Sequence, residues 1–72
     1  MKLVTKQVAQ RLKESRKDAG LTQREVAQHL GMVVSQYQKF EAGIFELNYE
    51  RIVLLCKLLE ISSDYLLGLS DI

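Results

Sequence analysis

Hydrophobic residues in the middle of the chain recur at helical spacing in two short segments that meet at Gly31. The first segment opens with Thr22 and carries Glu25 three residues later, a capping box in which each side chain bonds the backbone of the other residue. A helix is therefore predicted to start at this point. Its predicted apolar face consists of Val26, Ala27 and Leu30.

The second segment follows Gly31, which supplies the left-handed backbone conformation that ends a helix at little cost. Tyr37 and Phe40 stand three residues apart, so they are predicted to pack back on the first segment. The outward face of this second helix is then polar but lightly charged, and it consists of Val34, Ser35, Gln36, Gln38 and Lys39. Two short helices that meet at such a sharp break are typical of a nucleic-acid reader.

A longer helix is predicted upstream, over about Lys6 to Asp18, with Val8 and Leu12 facing inward and Gly20 just past its end. This helix precedes the two short helices that meet at Gly31 and lies in the first half of the chain.

Two more helices are predicted downstream. Asn48 is a good cap for one of them, and Glu50 in its first turn suits the helix dipole. Its inner stripe consists of Ile52, Leu55, Cys56 and Leu59. Ser62 caps a short final helix that buries Tyr65 or Leu66 and ends at Gly68. No segment alternates like a strand, so the predicted fold class is all-α, a compact five-helix bundle.

Length and composition fit a single small domain. The chain has 72 residues, of which 47% are hydrophobic, and no linker or repeat divides it, so residues 1–72 are interpreted as one domain. Cys56 is alone, and the sequence has no signal peptide and no apolar run long enough to span a membrane. These features favour a soluble protein of the reducing cytoplasm.

Catalytic and metal-binding chemistry find no support in the sequence. The single histidine, His29, has no cysteine or carboxylate at a useful spacing, and it is interpreted as a surface residue. No cysteine and histidine cluster has metal-ligand spacing. We therefore expect no enzyme activity, no cofactor and no metal.

Charge is distributed unevenly along the chain although the net charge is only +1. Residues 1–39 hold eight basic and three acidic residues, a net charge of +5, whereas residues 40–72 hold two basic and six acidic residues, a net charge of −4. Such a domain could present its basic half to phosphate, although a normal solvated surface explains the division equally well.

The central stretch resembles a known family. LTQREVA, the LG before the turn and the FEAG that closes the second helix resemble the helix-turn-helix of phage Cro and repressor proteins and of the related xenobiotic-response-element (XRE) regulators. Outside it, RLKESRKDAGLTQ resembles the family's first helix and LLCKLLEISSDYLLG its last two, so the resemblance extends from about Val8 to Gly68. It implies a lambda-repressor-like fold and binding to double-stranded DNA.

The resemblance also implies roles for individual residues. The positions that match Val34, Ser35 and Lys39 reach DNA bases, and the position that matches Gln23 anchors a phosphate and supports the reading helix. By side-chain chemistry, lysine can donate to guanine, serine can bond to several bases and valine can pack on a thymine methyl group. Of the two glutamines on the same face, Gln36 is the better candidate for a supporting DNA contact.

Phosphate contacts are expected at the start of the first motif helix, around Thr22 and Gln23, because a helix N-terminus attracts anions. Arg11 and Arg24 are further candidates by charge, and a surface ion pair is the alternative for each.

One pair is assigned to architecture. In the family, the residues that match Arg16 and Glu41 form a largely buried salt bridge between the first helix and the end of the third.

The chain departs from the family pattern at three places. Val33 stands where a Ser or Thr usually caps the reading helix, so that helix starts late at Ser35, is capped by backbone and water, or frays. Tyr37 is bulkier and more polar than the usual residue. The following loop, GIFELN, carries Glu46 in place of basic residues, and its Ile44 and Phe45 either extend the core or form an apolar patch for a protein partner.

These observations favour a sequence-specific, double-stranded DNA-binding transcriptional regulator, Cro-like or a small repressor, that acts as a homodimer on a pseudo-palindromic operator. The dimer is expected to form through the C-terminal region, whose apolar residues exceed what a short helix can bury: Leu66, Leu67, Leu69 and Ile72. The rival is a protein-interaction module of the same fold, such as an antitoxin or antirepressor partner, which Glu46 and the low net charge favour.

Overall fold

The computed structural model describes residues 2–72, and the side chains of residues 4–72. Its five helices are α1 (Lys2–Asp18), α2 (Gln23–His29), α3 (Val34–Glu41), α4 (Tyr49–Leu59) and α5 (Ser63–Leu66), and the described part contains no strand. The predicted all-α, five-helix fold is confirmed.

The helix boundaries follow local capping signals where the sequence provides them. Thr22 accepts a hydrogen bond from the amide of Glu25, and the Glu25 carboxylate accepts one from the amide of Thr22, which completes the predicted capping box. Asn48 and Ser62 cap α4 and α5 through the same kind of side-chain bond. Each cap satisfies a backbone donor that the first turn of a helix leaves unpaired.

One predicted boundary differs from the structure, and the start of α3, for which three alternatives were considered, is defined by it. The first helix begins at Lys2 rather than Lys6, because the residues between them contain no glycine or proline to stop it. Helix α3 begins at Val34, so the late start at Ser35 is excluded, and Val33 offers no side-chain cap. Instead, the carbonyl oxygen of Val33 accepts hydrogen bonds from the amides of Gln36 and Tyr37, at 3.1 and 3.2 Å.

Glycines after α2 and α3 allow the chain to reverse direction. Gly31 has φ +69° and Gly43 has φ +75°, a region in which side chains with a Cβ are strained. A Cβ at Gly43 would also lie 3.3 Å from Cγ of Lys6. The second glycine therefore serves both the turn and the close approach of the loop to α1.

One cluster of buried side chains joins all five helices. Helix α2 packs on α3, α1 contacts both α3 and α5, and α4 contacts α5. The cluster contains Leu12, Val26, Ala27, Tyr37, Phe40, Leu55, Leu59 and Leu66. Cys56 is half-buried beside it, where burial raises the pKa of its thiol. Among the described residues, no helix combines the length and the apolar character needed to cross a membrane.

Candidate nucleic-acid interface

Helix α3, the second helix of the motif, has one buried and one exposed face. Tyr37 and Phe40 are buried beneath it, against Val26 and Ala27 of α2. Four polar side chains on its other side are exposed: Ser35, Gln36, Gln38 and Lys39. Val34 differs from expectation, because it is half-buried and packs against the core. Only its remaining exposed edge is available for a thymine methyl group.

The carboxylate of Glu41, at the end of α3, connects three helices. The Arg16 Nε–H donates to Glu41 Oε2 at 2.6 Å, and Arg16 Nη2 donates to Oε1 at 3.2 Å. Gln23 Nε2 of α2 also donates to Oε1, at 3.1 Å, and the Tyr37 hydroxyl donates to Oε2 at 2.5 Å. Only 11% of the Arg16 side chain and 3% of the Glu41 side chain are exposed. The ion pair that the family resemblance implied is therefore present and buried.

The titration properties of this cluster follow from its contacts. Burial alone would raise the pKa of Glu41, but the hydrogen bonds from Arg16, Tyr37 and Gln23 lower it below its ordinary value. Burial and the neighbouring carboxylate raise the pKa of Tyr37, whereas the bond to Glu41 raises that of Arg16. The carboxylate is thus charged and the phenol neutral at physiological pH.

Gln23 is the point where the buried cluster approaches the exposed face of α3. Its Nε2 is bonded to Glu41, and its Oε1 accepts a hydrogen bond from Gln38 Nε2 at 3.1 Å. The side chain therefore supports the reading helix through two residues of α3, as the resemblance implied. Its remaining Nε2 hydrogen has no partner among the side chains of residues 4–72 or the described backbone.

Lys39 lies near the loop that follows α3. Its Nζ is 5.2 Å from the centre of the Phe45 ring, and that ring meets Phe40 edge-on with the ring centres 6.0 Å apart. The guanidinium of Arg51 lies over Phe40 at 5.5 Å. The lysine on the exposed face of α3 thus contacts an aromatic side chain of the loop.

The loop combines parts of the two arrangements considered for it. Phe45 is 41% exposed and, together with Val8 and Ile52, lines a cavity of about 110 Å³, whereas Ile44 is 65% exposed. The loop therefore adds part of one ring to the core and leaves an apolar edge at the surface. Glu46 is exposed beside it.

Two of the predicted phosphate contacts have intramolecular partners. Arg11 Nη1 donates to the carbonyl oxygens of Tyr65, at 2.8 Å, and Ser70, and Nη2 lies 3.3 Å from Asp71 Oδ1. The amide of Thr22 donates to Glu25, which lowers the pKa of that carboxyl group. Arg11 therefore fastens the segment after α5 to α1, and the Thr22 amide is not free for a phosphate.

Arg24 is exposed on α2 and forms no ion pair with residues 4–72, whose side chains the structure describes. The surface ion pair considered for it is absent there. Its guanidinium is the free cationic group of the first motif helix.

Comparison with known proteins identifies the family. A family model described as helix-turn-helix matches residues 12–66, which include all of α2 and α3 and the glycine turn between them. The chain belongs to the XRE family of helix-turn-helix proteins. The resemblance to phage Cro and repressor proteins is thereby confirmed.

Several relatives of this XRE-family chain come from Bacillus subtilis strain 168. The HTH-type transcriptional regulator YobD is 37% identical over 62 residues, which cover 86% of this chain and 55% of YobD. YqaE, also named as an HTH-type transcriptional regulator, is 36% identical over 82% of this chain and 51% of its own length. The HTH-type transcriptional regulator ImmR is 32% identical over 90% of this chain and 51% of its own length. The chain spans about half the length of these relatives.

Three contacts of the XRE-family site were missed from the sequence. Tyr37 and Glu41 stand four residues apart, so their bond could have been predicted from helical spacing. The bond between Gln38 and Gln23 and the approach of Lys39 to Phe45 depend on how α2, α3 and the loop pack, and no local pattern indicates them.

Proposed function

We propose that this chain is a sequence-specific, double-stranded DNA-binding domain of a transcriptional regulator, and that it acts as a repressor. The observation that carries the proposal is the division of α3 into a buried face and an exposed polar face, with Glu41 fixing its end to α1 and α2. A helix that is held in this way can enter the major groove, which is about 12 Å wide. The names of the three Bacillus subtilis proteins, all HTH-type transcriptional regulators, support a role in transcriptional regulation.

Base readout is assigned to Ser35 and Lys39, with Val34 in an apolar contact. Both polar side chains are exposed and carry groups that bond to base edges. Gln23 and Arg24 are assigned to the phosphate backbone, and Gln36 to a supporting contact. Lys39 must leave the ring of Phe45, and that contact costs little to break because exposed cation-π interactions contribute only about 0.5–1 kcal/mol.

A homodimer on a pseudo-palindromic operator is the proposed active form, because one reading helix covers only a few base pairs. Leu66 is fully buried in its own domain and is removed from the predicted interface, whereas Leu69 and Ile72 are 76% and 93% exposed. Sedimentation of the chain and of Leu69→Asp tests the pairing. The proposal requires a dimer that the aspartate disrupts, and two monomers of equal mass at high concentration would exclude it.

A protein-interaction module of the same fold is the second candidate. It is favoured by exposed apolar side chains, which are Ile44 and Phe45 in the loop and Tyr49 and Val53 on α4, and Tyr49 is 90% exposed. In that function the chain would itself be an antitoxin- or antirepressor-type partner whose apolar loop docks another protein, and α3 would not touch DNA.

Selection of bound duplexes from a random library separates the two candidates. The DNA-binding proposal predicts an enriched motif with two-fold symmetry, and Lys39→Ala should relax the preference at one position in each half-site. The matched control is Lys57→Ala, which removes an exposed lysine of α4 and should leave the motif unchanged. Recovery of no motif, together with ordinary folding of the protein, would favour the protein-interaction module.

A further inference from the structure

The carboxamide of Gln23 is held at both ends. Its Nε2 donates to Glu41 Oε1 at 3.1 Å, and its Oε1 accepts from Gln38 Nε2 at 3.1 Å. The terminal torsion of a glutamine has broad, roughly two-fold preferences, so its own rotamer does not decide where the amide points. These two partners decide it instead.

The direction of the amide follows from the chemistry of the partners. A carboxylate only accepts hydrogen bonds, so Glu41 selects the nitrogen end of Gln23. The oxygen end then requires a donor, and Gln38 supplies it from the neighbouring turn of α3. Because Glu41 is fixed by Arg16 and by Tyr37, the chain of bonds begins at a buried, charged group and ends at an exposed residue.

We propose that Gln38 is a positioning residue for the phosphate contact of Gln23, and that the two carboxamides act as one unit. The inference rests on the proposed DNA-binding function. With both ends of its amide engaged, Gln23 retains a single Nε2 hydrogen, which suits a phosphate oxygen because that oxygen only accepts. Loss of Gln38 leaves the oxygen end free, so Glu41 alone holds the amide and the direction of the remaining hydrogen is no longer fixed.

A double-mutant cycle on DNA affinity tests the coupling. Gln38→Met keeps the length of the side chain but removes its amide, and Gln23→Met does the same on α2. The matched control is Gln28→Met, which changes an exposed glutamine of α2 that makes no side-chain bond to residues 4–72. Each of the four proteins of the cycle and the control is titrated with the selected duplex and with a duplex that is mismatched at one base pair.

Gln38→Met should weaken binding to both duplexes by about twofold to tenfold, the range expected for one lost hydrogen bond. In the Gln23→Met background, Gln38→Met should not weaken DNA binding further, since the Gln23 amide that it positions is absent. Ethylation interference should also lose the same phosphate in either single variant. Gln28→Met should leave affinity and interference unchanged.

The alternatives give different results. If Gln38→Met weakens binding by the same factor in both backgrounds, Gln38 contacts DNA by itself and the positioning role is wrong. The role is also wrong if Gln38→Met behaves like Gln28→Met while the wild-type protein binds its duplex. If the folded wild-type protein binds no duplex, the proposed function fails and the inference fails with it. Unfolding of all five proteins without DNA shows whether any loss arises from stability.

Discussion

Replacement of Arg16 by alanine removes two of the four hydrogen bonds that the Glu41 carboxylate accepts. It also removes the bond from Arg16 Nη1 to the carbonyl oxygen of Leu21, at 2.9 Å. The remaining donors, Tyr37 and Gln23, are neutral, so the buried negative charge loses its counter-ion. We expect Arg16→Ala to destabilise the fold.

The expected loss is about 3 kcal/mol. Removal of one partner of a buried ion pair typically costs roughly 3–5 kcal/mol, because the other charge stays buried without compensation. The two neutral hydrogen bonds to Glu41 place this protein at the lower end of that range. For a domain of this size, 3 kcal/mol lowers the thermal midpoint by roughly 12–24 °C.

The loss should depend on pH. In the wild-type protein the lowered pKa of Glu41 means that its contribution is complete above the ordinary carboxyl pKa and disappears as the pH falls through the lower folded value. In Arg16→Ala, the Glu41 carboxylate is buried without the opposing guanidinium. Protonation of Glu41 removes this unpaired charge and therefore its energetic cost. The difference between the two proteins should therefore shrink from about pH 7 to about pH 3.

Urea unfolding followed by circular dichroism at several pH values measures this difference. Arg24→Ala is the matched control, because Arg24 is exposed and should change stability by less than about 0.5 kcal/mol. Adding Glu41→Gln to Arg16→Ala should recover part of the loss by removing the unpaired charge. A loss no larger than that of the control, or one that does not vary with pH, would refute the reasoning.

Three further predictions concern the same elements. Tyr37→Phe should destabilise by about 1.5 kcal/mol, because it removes one hydrogen bond to a charged group while keeping the ring; an unchanged urea midpoint would contradict this. Glu60→Gly should stabilise by about 0.5 kcal/mol, since Glu60 ends α4 at φ 56°, where glycine has no Cβ strain; a lower urea midpoint would argue against it. Gln23→Ala should weaken binding to all duplexes evenly, whereas Lys39→Ala should relax base preference and make the salt slope shallower by at most roughly 0.9; equal effects on matched and mismatched duplexes for both variants would oppose this assignment.

Local signals account for the parts of the fold that were predicted correctly. The caps at Thr22, Asn48 and Ser62 depend on residues three positions apart, and a sequence displays such spacing directly. The start of α1 has no acidic residue in its first turn and no capping signal, and there the predicted boundary was four residues late. Helix ends are predictable where a side chain enforces them.

Arg11 illustrates what sequence reasoning does not reach. Its charge made it a candidate for phosphate binding, yet its partners lie 54, 59 and 60 residues away along the chain. No sequence pattern near Arg11 predicts those contacts. The family resemblance implied the Arg16 and Glu41 pair, but it did not imply the hydrogen bond that the Tyr37 hydroxyl donates to the same carboxylate.

The position of Glu41 links the stability of the domain to its proposed DNA surface. The same carboxylate holds α1 through Arg16, orients Gln23 on α2 and accepts the hydroxyl of Tyr37 in α3. A change at Glu41 therefore alters both the free energy of unfolding and the proposed contact of Gln23 with the DNA backbone. The DNA affinity of such a variant does not separate the two effects. Lys39 is exposed on the opposite side of the helix from the core and makes no contact with this carboxylate. The proposed base readout can thus change through Lys39 while the buried cluster keeps α3 in place.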